Sequence, residues 1–181
     1  MSNNVVPLKK LETSNPYEEL KSAYQSEIEQ VDSFIKEKLS SHIELIGEMS
    51  SYLIQSGGKR LRPLLTIASS GWFGYQGDRH IKLAAGVELI HNATLLHDDV
   101  IDKSDFRRGK KTNNHLWGNK NSILTGDYLL GRCFEIMVED GSLEVLKLLS
   151  SVSSEIAQGE ILQLQHEKEV ETLEKTYLEI I

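Results

Sequence analysis

Three aspartates, Asp98, Asp99 and Asp102, lie within five residues of one another. On a helix, residues 98 and 102 are one turn apart on the same face, and Asp99 lies to one side. Carboxylates this close repel one another and raise each other's pKa unless a cation joins them. Mg²⁺ prefers oxygen ligands and completes its shell with phosphate and water. The spacing therefore predicts a magnesium site that bridges to a diphosphate, although an acidic helix end is more commonly a solvated surface.

Two basic segments, residues 57–63 and 107–111, are the natural partners of such a diphosphate. The first reads Gly-Gly-Lys-Arg-Leu-Arg-Pro, and its glycines let the backbone approach an anion closely. It precedes the helix predicted to start at Pro63, and helix N-termini attract phosphate. The second reads Arg-Arg-Gly-Lys-Lys and follows the aspartates directly. Surface charge pairing is the alternative interpretation of both segments.

Histidines and the single cysteine complete the reactive side chains. His91 is two turns before Asp98 on the same helix face, so it could donate a hydrogen bond to a phosphate oxygen. His97 points elsewhere and is interpreted as a supporting or structural residue. Cys133 lies on an apolar helix and is predicted to be a core residue.

The elements that must position these residues are predicted to be helices throughout, because no segment alternates with period two. Residues 1–15 are expected to form a flexible tail, and residues 16–181 a single helical domain. Asn15 and Pro16 are typical of a helix start. The predicted helices are 16–39, about 43–54, one starting at Pro63, 79–103, 122–138, 142–165 and one from about Val170, with a polar loop over 104–114.

Composition restricts the classes of function. The chain has 181 residues and a net charge of −7, which argues against general nucleic-acid binding. One cysteine rules out a disulfide within the chain and favours a reducing, cytoplasmic location. The N-terminal residues have no apolar segment typical of a secretory signal, and no apolar stretch reaches the ~18 residues of a membrane span.

The motifs, in this order and spacing, resemble those of the trans-polyprenyl diphosphate synthases. The resemblance covers roughly residues 20–181 and is strongest to the long-chain bacterial type. Its motifs are residues 57–63, residues 96–102, Arg107-Arg108-Gly109, residues 126–130 and residues 159–163. The resemblance implies an all-α antiparallel helical bundle of the isoprenoid synthase type.

The resemblance also implies roles for individual residues. Asp98, Asp99 and Asp102 would hold Mg²⁺ on an allylic prenyl diphosphate, and Arg107 would bind the same diphosphate. Gln163 would line the allylic pocket. The residues implied at the isopentenyl diphosphate site are Lys59, Arg62, His91 and Arg108. The implied reaction is ionisation, condensation and elimination, carried out by a homodimer.

The size of two residues suggests the product length. Ala93 and Thr94 lie one turn before Asp98, where a bulky side chain would close the cavity for the growing tail. Their small size predicts a product longer than C20, although Ala93 could be small merely for helix packing. Such a product would leave slowly, with contact to membrane lipid aiding its release.

The sequence also departs from the family's pattern. The family carries a second aspartate-rich motif and a Lys-Thr pair, and this sequence reaches Ile181 before either. We therefore expect a bundle that is incomplete at its C-terminus and that has weak or no activity alone. One alternative is an incomplete subunit that binds diphosphate or a partner chain. Another is a metal phosphohydrolase of the HD type, based on His97-Asp98.

Overall fold

The computed structural model describes residues 15–167 and 173–180. In this part of the chain, helices account for nearly all regular structure. They are α1 (Pro16–Ala23), α2 (Gln25–Lys38), α3 (Glu44–Gln55), α4 (Leu61–Trp72), α5 (Arg79–Ile101), α6 (Asn113–Trp117), α7 (Asn119–Asp140), α8 (Leu143–His166) and α9 (Glu174–Ile180). A hairpin of β1 (Phe106–Arg107) and β2 (Lys110–Lys111) lies between α5 and α6.

Helix α5 is the centre of the fold. It packs mainly against α7, and also against α4 and α2. Buried residues lie on several of its faces, which explains why the helix has no single apolar stripe. The core includes Val31 and Ile35 of α2, Leu64 of α4, Leu89 of α5 and Ile136 of α7. Because α5 is held on several sides, its C-terminal aspartates sit on a rigid support.

The predicted N-terminal helix is interrupted once. Asn15 caps it as expected, with its side-chain oxygen accepting from the Tyr17 N–H at 3.1 Å. Tyr24 leaves helical geometry, with φ −116° and ψ 24°, and divides residues 16–39 into α1 and α2. The Tyr24 hydroxyl lies against Gly71 of α4, so closely that a Cβ there would be 2.6 Å from it.

Two predictions of element boundaries are wrong. The helix predicted to begin at Pro63 begins at Leu61. Pro63 occupies the third helical position, where its missing N–H would have no intrahelical acceptor. The predicted loop over 104–114 contains the β1–β2 hairpin and the start of α6. Two-residue strands are too short to produce a period that a sequence pattern could reveal.

The remaining boundaries lie close to the predictions. Helices α3 and α8 each lie within one residue of the predicted ends, and α5 ends two residues early. Helix α7 begins three residues before the predicted Ser122. The predicted start of the last helix near Val170, and the predicted tail as far as residue 14, lie outside the described residues. In the described part of the chain, no helix combines the length and apolar character needed to cross a membrane.

Candidate active site

The C-terminal end of α5 presents the three aspartates differently. Asp98 is half-buried, and burial is the main reason why its pKa is raised above its usual value. The facing Glu160 of α8, with Asp102 and Asp99, raises this pKa further, whereas Arg107 lowers it. Asp102 is exposed at the helix end, and its N–H donates to the Asp98 carbonyl at 2.8 Å. Asp98 and Asp102 are thus the more accessible carboxylates of the motif.

Asp99 has a different environment, because it is only 3% exposed. Arg107 donates from Nε to Asp99 Oδ1 at 2.8 Å. Asn114 of α6 donates to the Asp99 carbonyl at 3.2 Å and to the Ser104 carbonyl at 3.1 Å. These contacts tie the hairpin to the end of α5, so Arg107 is held beside the aspartate motif.

The hairpin turn brings Arg108 to the first basic segment. Arg108 and Gly109 both have positive φ, 53° and 77°, as a two-residue turn of type I′ requires. The Arg108 guanidinium donates to the Gly57 carbonyl. A Cβ on Gly58 would lie 2.7 Å from Arg108 Nη1. Glycine at position 58 therefore permits this close approach of the two basic segments.

A basic cavity of about 460 Å³ forms where these segments meet α5. All four residues predicted for isopentenyl diphosphate line it: Lys59, Arg62, His91 and Arg108. Burial lowers the pKa of His91 to about 4, and the nearby arginines at positions 62, 108, 107 and 60 contribute. The imidazole is therefore neutral near pH 7 and can still donate one hydrogen bond.

A second, mostly apolar cavity of about 300 Å³ begins at Asp98. It follows α5 past Thr94 to Ile90, and α8 forms its opposite wall. Ala93 is fully buried in the core and is not among the lining residues. Gln163 of α8 is exposed and also lies outside the set of lining residues. Of the two predicted chain-length residues, the structure therefore places Thr94 at this cavity.

Another cavity, of about 780 Å³ between α8 and α9, is lined by none of the predicted site residues. A small cavity of about 30 Å³ holds Asp99, Arg107 and Arg108 together. Because Arg108 lines both this small cavity and the basic cavity, Asp99 and Arg107 lie next to the basic cavity.

The donor chemistry at the end of α5 suits a hard cation. Within residues 15–167 and 173–180, no three acidic, histidine or cysteine side chains converge as a complete metal site. Asp98 and Asp102 nevertheless offer carboxylate oxygens, and their mutual repulsion is what a divalent cation would relieve. Asp99 already has one oxygen engaged by Arg107.

Four charged residues near the site have no role predicted from the sequence, although Arg60 and Glu160 lie within its motifs. Glu160 faces Asp98, and Arg60 makes ion pairs with Asp32 and Glu88. Arg60 could not be separated from its basic neighbours by type alone. Spacing gives a signal for Glu88, which precedes His91 by one helical turn.

His97, the basis of the phosphohydrolase alternative, has a local role. Its Nε2 lies 3.2 Å from the Ile123 carbonyl and 3.4 Å from Asp127 Oδ1. Its ring packs over Gly126, where a Cβ would be 2.3 Å from Nε2. His97 thus joins α5 to α7.

Comparison with known proteins agrees with this geometry. The polyprenyl synthetase family model matches residues 43–181. The chain belongs to the polyprenyl synthetase family. Octaprenyl diphosphate synthase of Escherichia coli is 43% identical over 151 residues, which cover 83% of this chain. Such relatives exclude the phosphohydrolase alternative.

Solved structures of this family share the fold. A decaprenyl diphosphate synthase from Rhodobacter capsulatus superimposes with a TM-score of 0.89 at 47% identity, over 92% of this chain and 51% of its own. A polyprenyl synthase from Caulobacter crescentus, complexed with calcium and isoprenyl diphosphate, superimposes with a TM-score of 0.90 at 42% identity. The superposition covers 93% of this chain and 51% of the other. The predicted all-α bundle of the isoprenoid synthase type is confirmed. The chain spans about half the length of the relatives it matches, 47% for the Escherichia coli enzyme.

Proposed function

We propose that this chain carries the first aspartate motif and the isopentenyl diphosphate site of a Mg²⁺-dependent trans-polyprenyl diphosphate synthase. The reaction joins isopentenyl diphosphate to an allylic prenyl diphosphate, and the product is longer than C20. The observation that carries the proposal is the position of two consecutive arginines: Arg107 acts on both Asp98 and Asp99 of the aspartate motif, and Arg108 lines the basic cavity. Homodimer formation and a cytoplasmic location remain predictions.

The acidic part of the site would act on the allylic diphosphate. Asp98 and Asp102 would hold Mg²⁺, which when bound neutralises the charge that develops on the departing diphosphate. Arg107, held in place by Asp99, has guanidinium N–H groups to donate to the same diphosphate. These groups lower the barrier to breaking the allylic C–O bond by stabilising the leaving group.

The basic cavity would bind the second substrate. Lys59 and Arg62 are both exposed and can reach a diphosphate, and Arg108 and a neutral His91 can donate from the cavity wall. This holds the isopentenyl double bond beside the allylic carbon, where it attacks the cation. The condensed product then loses a proton to the released diphosphate, so no side chain has to act as the base. The isopentenyl double bond is itself the nucleophile, so no nucleophilic side chain is required.

The apolar cavity provides space for the hydrocarbon tail. It begins at Asp98 and continues past Thr94, so a diphosphate bound near the aspartates would direct its tail into it. Each isoprene unit buries five carbons, which stabilises the bound tail by about 3–4 kcal/mol at ~0.8 kcal/mol per carbon. This stabilisation of the bound tail supports the proposal of a long product that leaves the site slowly.

Elongation of an allylic primer tests the proposal. The chain is incubated with radiolabelled isopentenyl diphosphate, farnesyl diphosphate and Mg²⁺, and products are separated by chain length. We expect weak Mg²⁺-dependent elongation by this chain alone, and a loss of about 100-fold or more in Asp98→Asn, because a negative metal ligand is removed. Asp78→Asn removes an exposed carboxylate paired with Lys82, just before α5 begins and at the end opposite to the aspartate motif, and is the matched control.

The outcomes separate the candidate functions. Binding of both diphosphates without elongation would favour the alternative of a subunit that binds diphosphate or a partner chain. Equal elongation by wild type, Asp98→Asn and Asp78→Asn would refute the proposed role of the aspartate motif.

A further inference from the structure

The three cations of residues 57–62, a loop that continues at Leu61 into the first turn of α4, do not point the same way. Lys59 and Arg62 are exposed, whereas the side chain of Arg60 turns inward and is only 12% exposed. Arg60 also has a positive φ of 50°, an unusual backbone conformation for a residue with a Cβ. A strained residue of this kind persists only where its surroundings hold it.

Arg60 is held by a set of contacts that occupies its guanidinium. Nε donates to Asp32 Oδ1 at 3.0 Å, and Nη1 donates to Glu88 Oε1 at 2.9 Å. Nη2 donates to the Ile54 carbonyl at 3.2 Å. The side chain of Glu88 is only 7% exposed, so its partnership with Arg60 is shielded from water. Each of the three guanidinium nitrogens of Arg60 therefore donates to an oxygen of the protein itself.

The loop has a further support from the N-terminal helices. The Tyr17 hydroxyl of α1 donates to the Lys59 carbonyl at 2.6 Å. Tyr17 and Asp32 both precede residue 43, where the match to the family begins. Two side chains from outside the matched region thus contact consecutive residues of the basic loop.

We propose that Asp32 and Glu88 are positioning residues that hold Arg60, and through it aim Lys59 and Arg62 at isopentenyl diphosphate. The inference rests on the proposed function for the identity of the ligand. Arg60 in this account binds no phosphate. It fixes the backbone between two residues that do, and α1 and α2 act as a brace for the phosphate-binding loop.

Hydrogen exchange of the unliganded chain tests the brace directly. In Asp32→Asn, amides of residues 57–62 should exchange roughly tenfold faster, because a hydrogen bond between charged groups is weakened. Asp32 suits this test because its side chain is 34% exposed, so the variant should fold. Glu139→Gln breaks another ion pair of α2, with Lys38 at 2.7 Å, and should leave exchange in the loop unchanged.

Ligand binding tests the consequence of the brace. By calorimetry, Asp32→Asn should bind isopentenyl diphosphate about five- to tenfold more weakly, because misaimed cations lose charge-assisted hydrogen bonds. Binding of farnesyl diphosphate with Mg²⁺ should stay within about twofold, since the aspartate motif is separately supported. Asp32→Glu should restore most of the affinity. Arg60→Lys should bind isopentenyl diphosphate about as weakly as Asp32→Asn. A single ammonium cannot replace the three hydrogen bonds that the Arg60 guanidinium donates.

The two proposals can fail separately. Unchanged loop exchange in Asp32→Asn would overturn the inference whatever the ligand. Faster exchange with unchanged affinity for isopentenyl diphosphate would overturn the link from brace to binding. A wild-type chain that bound no isopentenyl diphosphate would refute the proposed function and the ligand assigned here, while the exchange data would still decide whether Asp32 holds the loop.

Discussion

The charge state of His91 is set by its surroundings. Its position two turns before Asp98 suggested a shared face with the aspartates, but the structure places it in the basic cavity with Arg62 and Arg108. Burial and the neighbouring arginines favour the neutral ring, which explains a pKa of about 4. A bound diphosphate would offset the positive charge of those arginines, so ligand binding should raise the His91 pKa.

This environment predicts a pH-dependent stability. The folded-state pKa of His91 lies below the ordinary value of 6.5, so the unfolded chain binds more protons between pH 6.5 and about 4. The His91 contribution to the free energy of unfolding should therefore decrease as pH falls through this window. In urea titrations across the window, His91→Gln should show a shallower decrease than wild type.

The exposed His42 offers the matched control for this variant. His42→Gln removes an exposed imidazole and so controls for the loss of a histidine as such. NMR titration of His91 provides a direct check, with and without isopentenyl diphosphate. A midpoint near 6.5 in the unliganded chain would contradict the burial argument.

At the scale of elements, the β1–β2 hairpin organises the site. It places Arg107 on Asp99 and Arg108 on the Gly57 carbonyl from one two-residue turn. Gly109 has a φ of 77° in this turn, which favours glycine. The hairpin is therefore the element that joins the acidic and basic parts of the site.

Substitution of Gly109 should weaken the connection that the hairpin makes between the acidic and basic parts of the site. Gly109→Ala should lower the free energy of unfolding by about 1 kcal/mol, because alanine is strained at positive φ. It should also weaken binding of both diphosphates, since Arg107 precedes the turn directly and Arg108 lies in it. Gly131→Ala is the contrasting control, because Gly131 lies in α7 with open space around it. That variant should gain about 0.5–1 kcal/mol from helix propensity.

Chemical denaturation of the two glycine variants, followed by circular dichroism, provides the measurement. The same sign of change in Gly109→Ala and Gly131→Ala would contradict the turn assignment.

Sequence patterns predicted the long elements well and the short ones poorly. Helix α8 was found within one residue because Ser142 caps it, accepting from the Val145 N–H at 3.3 Å. The hairpin and α6 were missed because their local signal is weaker than the polar composition of residues 104–114. The inward turn of Arg60 depends on Asp32 and Glu88, 28 residues away in each direction. Such long-range pairs leave no trace in a local pattern.

For the molecule as a whole, the cavity along α5 is where the proposed function would place the growing product. Thr94 lines this cavity, whereas Ala93 points into a close-packed core. Thr94→Phe should therefore shorten the longest product in the elongation assay, because the larger side chain occupies space needed by the tail. Both residues remain predicted determinants of chain length.

Ala93→Tyr separates the two positions. A tyrosine in this fully buried position should lower the free energy of unfolding by about 1–3 kcal/mol through overpacking. Product analysis and urea denaturation of both variants check the assignment. A shorter product from Ala93→Tyr with unchanged stability, together with an unchanged product from Thr94→Phe, would show that Ala93 controls the length.

In the proposed function, Asp98 and Asp102 hold a divalent cation against an allylic diphosphate. Calorimetry of farnesyl diphosphate binding, with Mg²⁺ and with EDTA, measures this directly. Wild type should bind in the presence of Mg²⁺ and lose at least about tenfold in affinity with EDTA, because the carboxylates then repel the anion. Asp98→Asn and Asp102→Asn should lose most of this Mg²⁺ dependence. Equal affinity with Mg²⁺ and with EDTA in the wild-type chain would contradict the account.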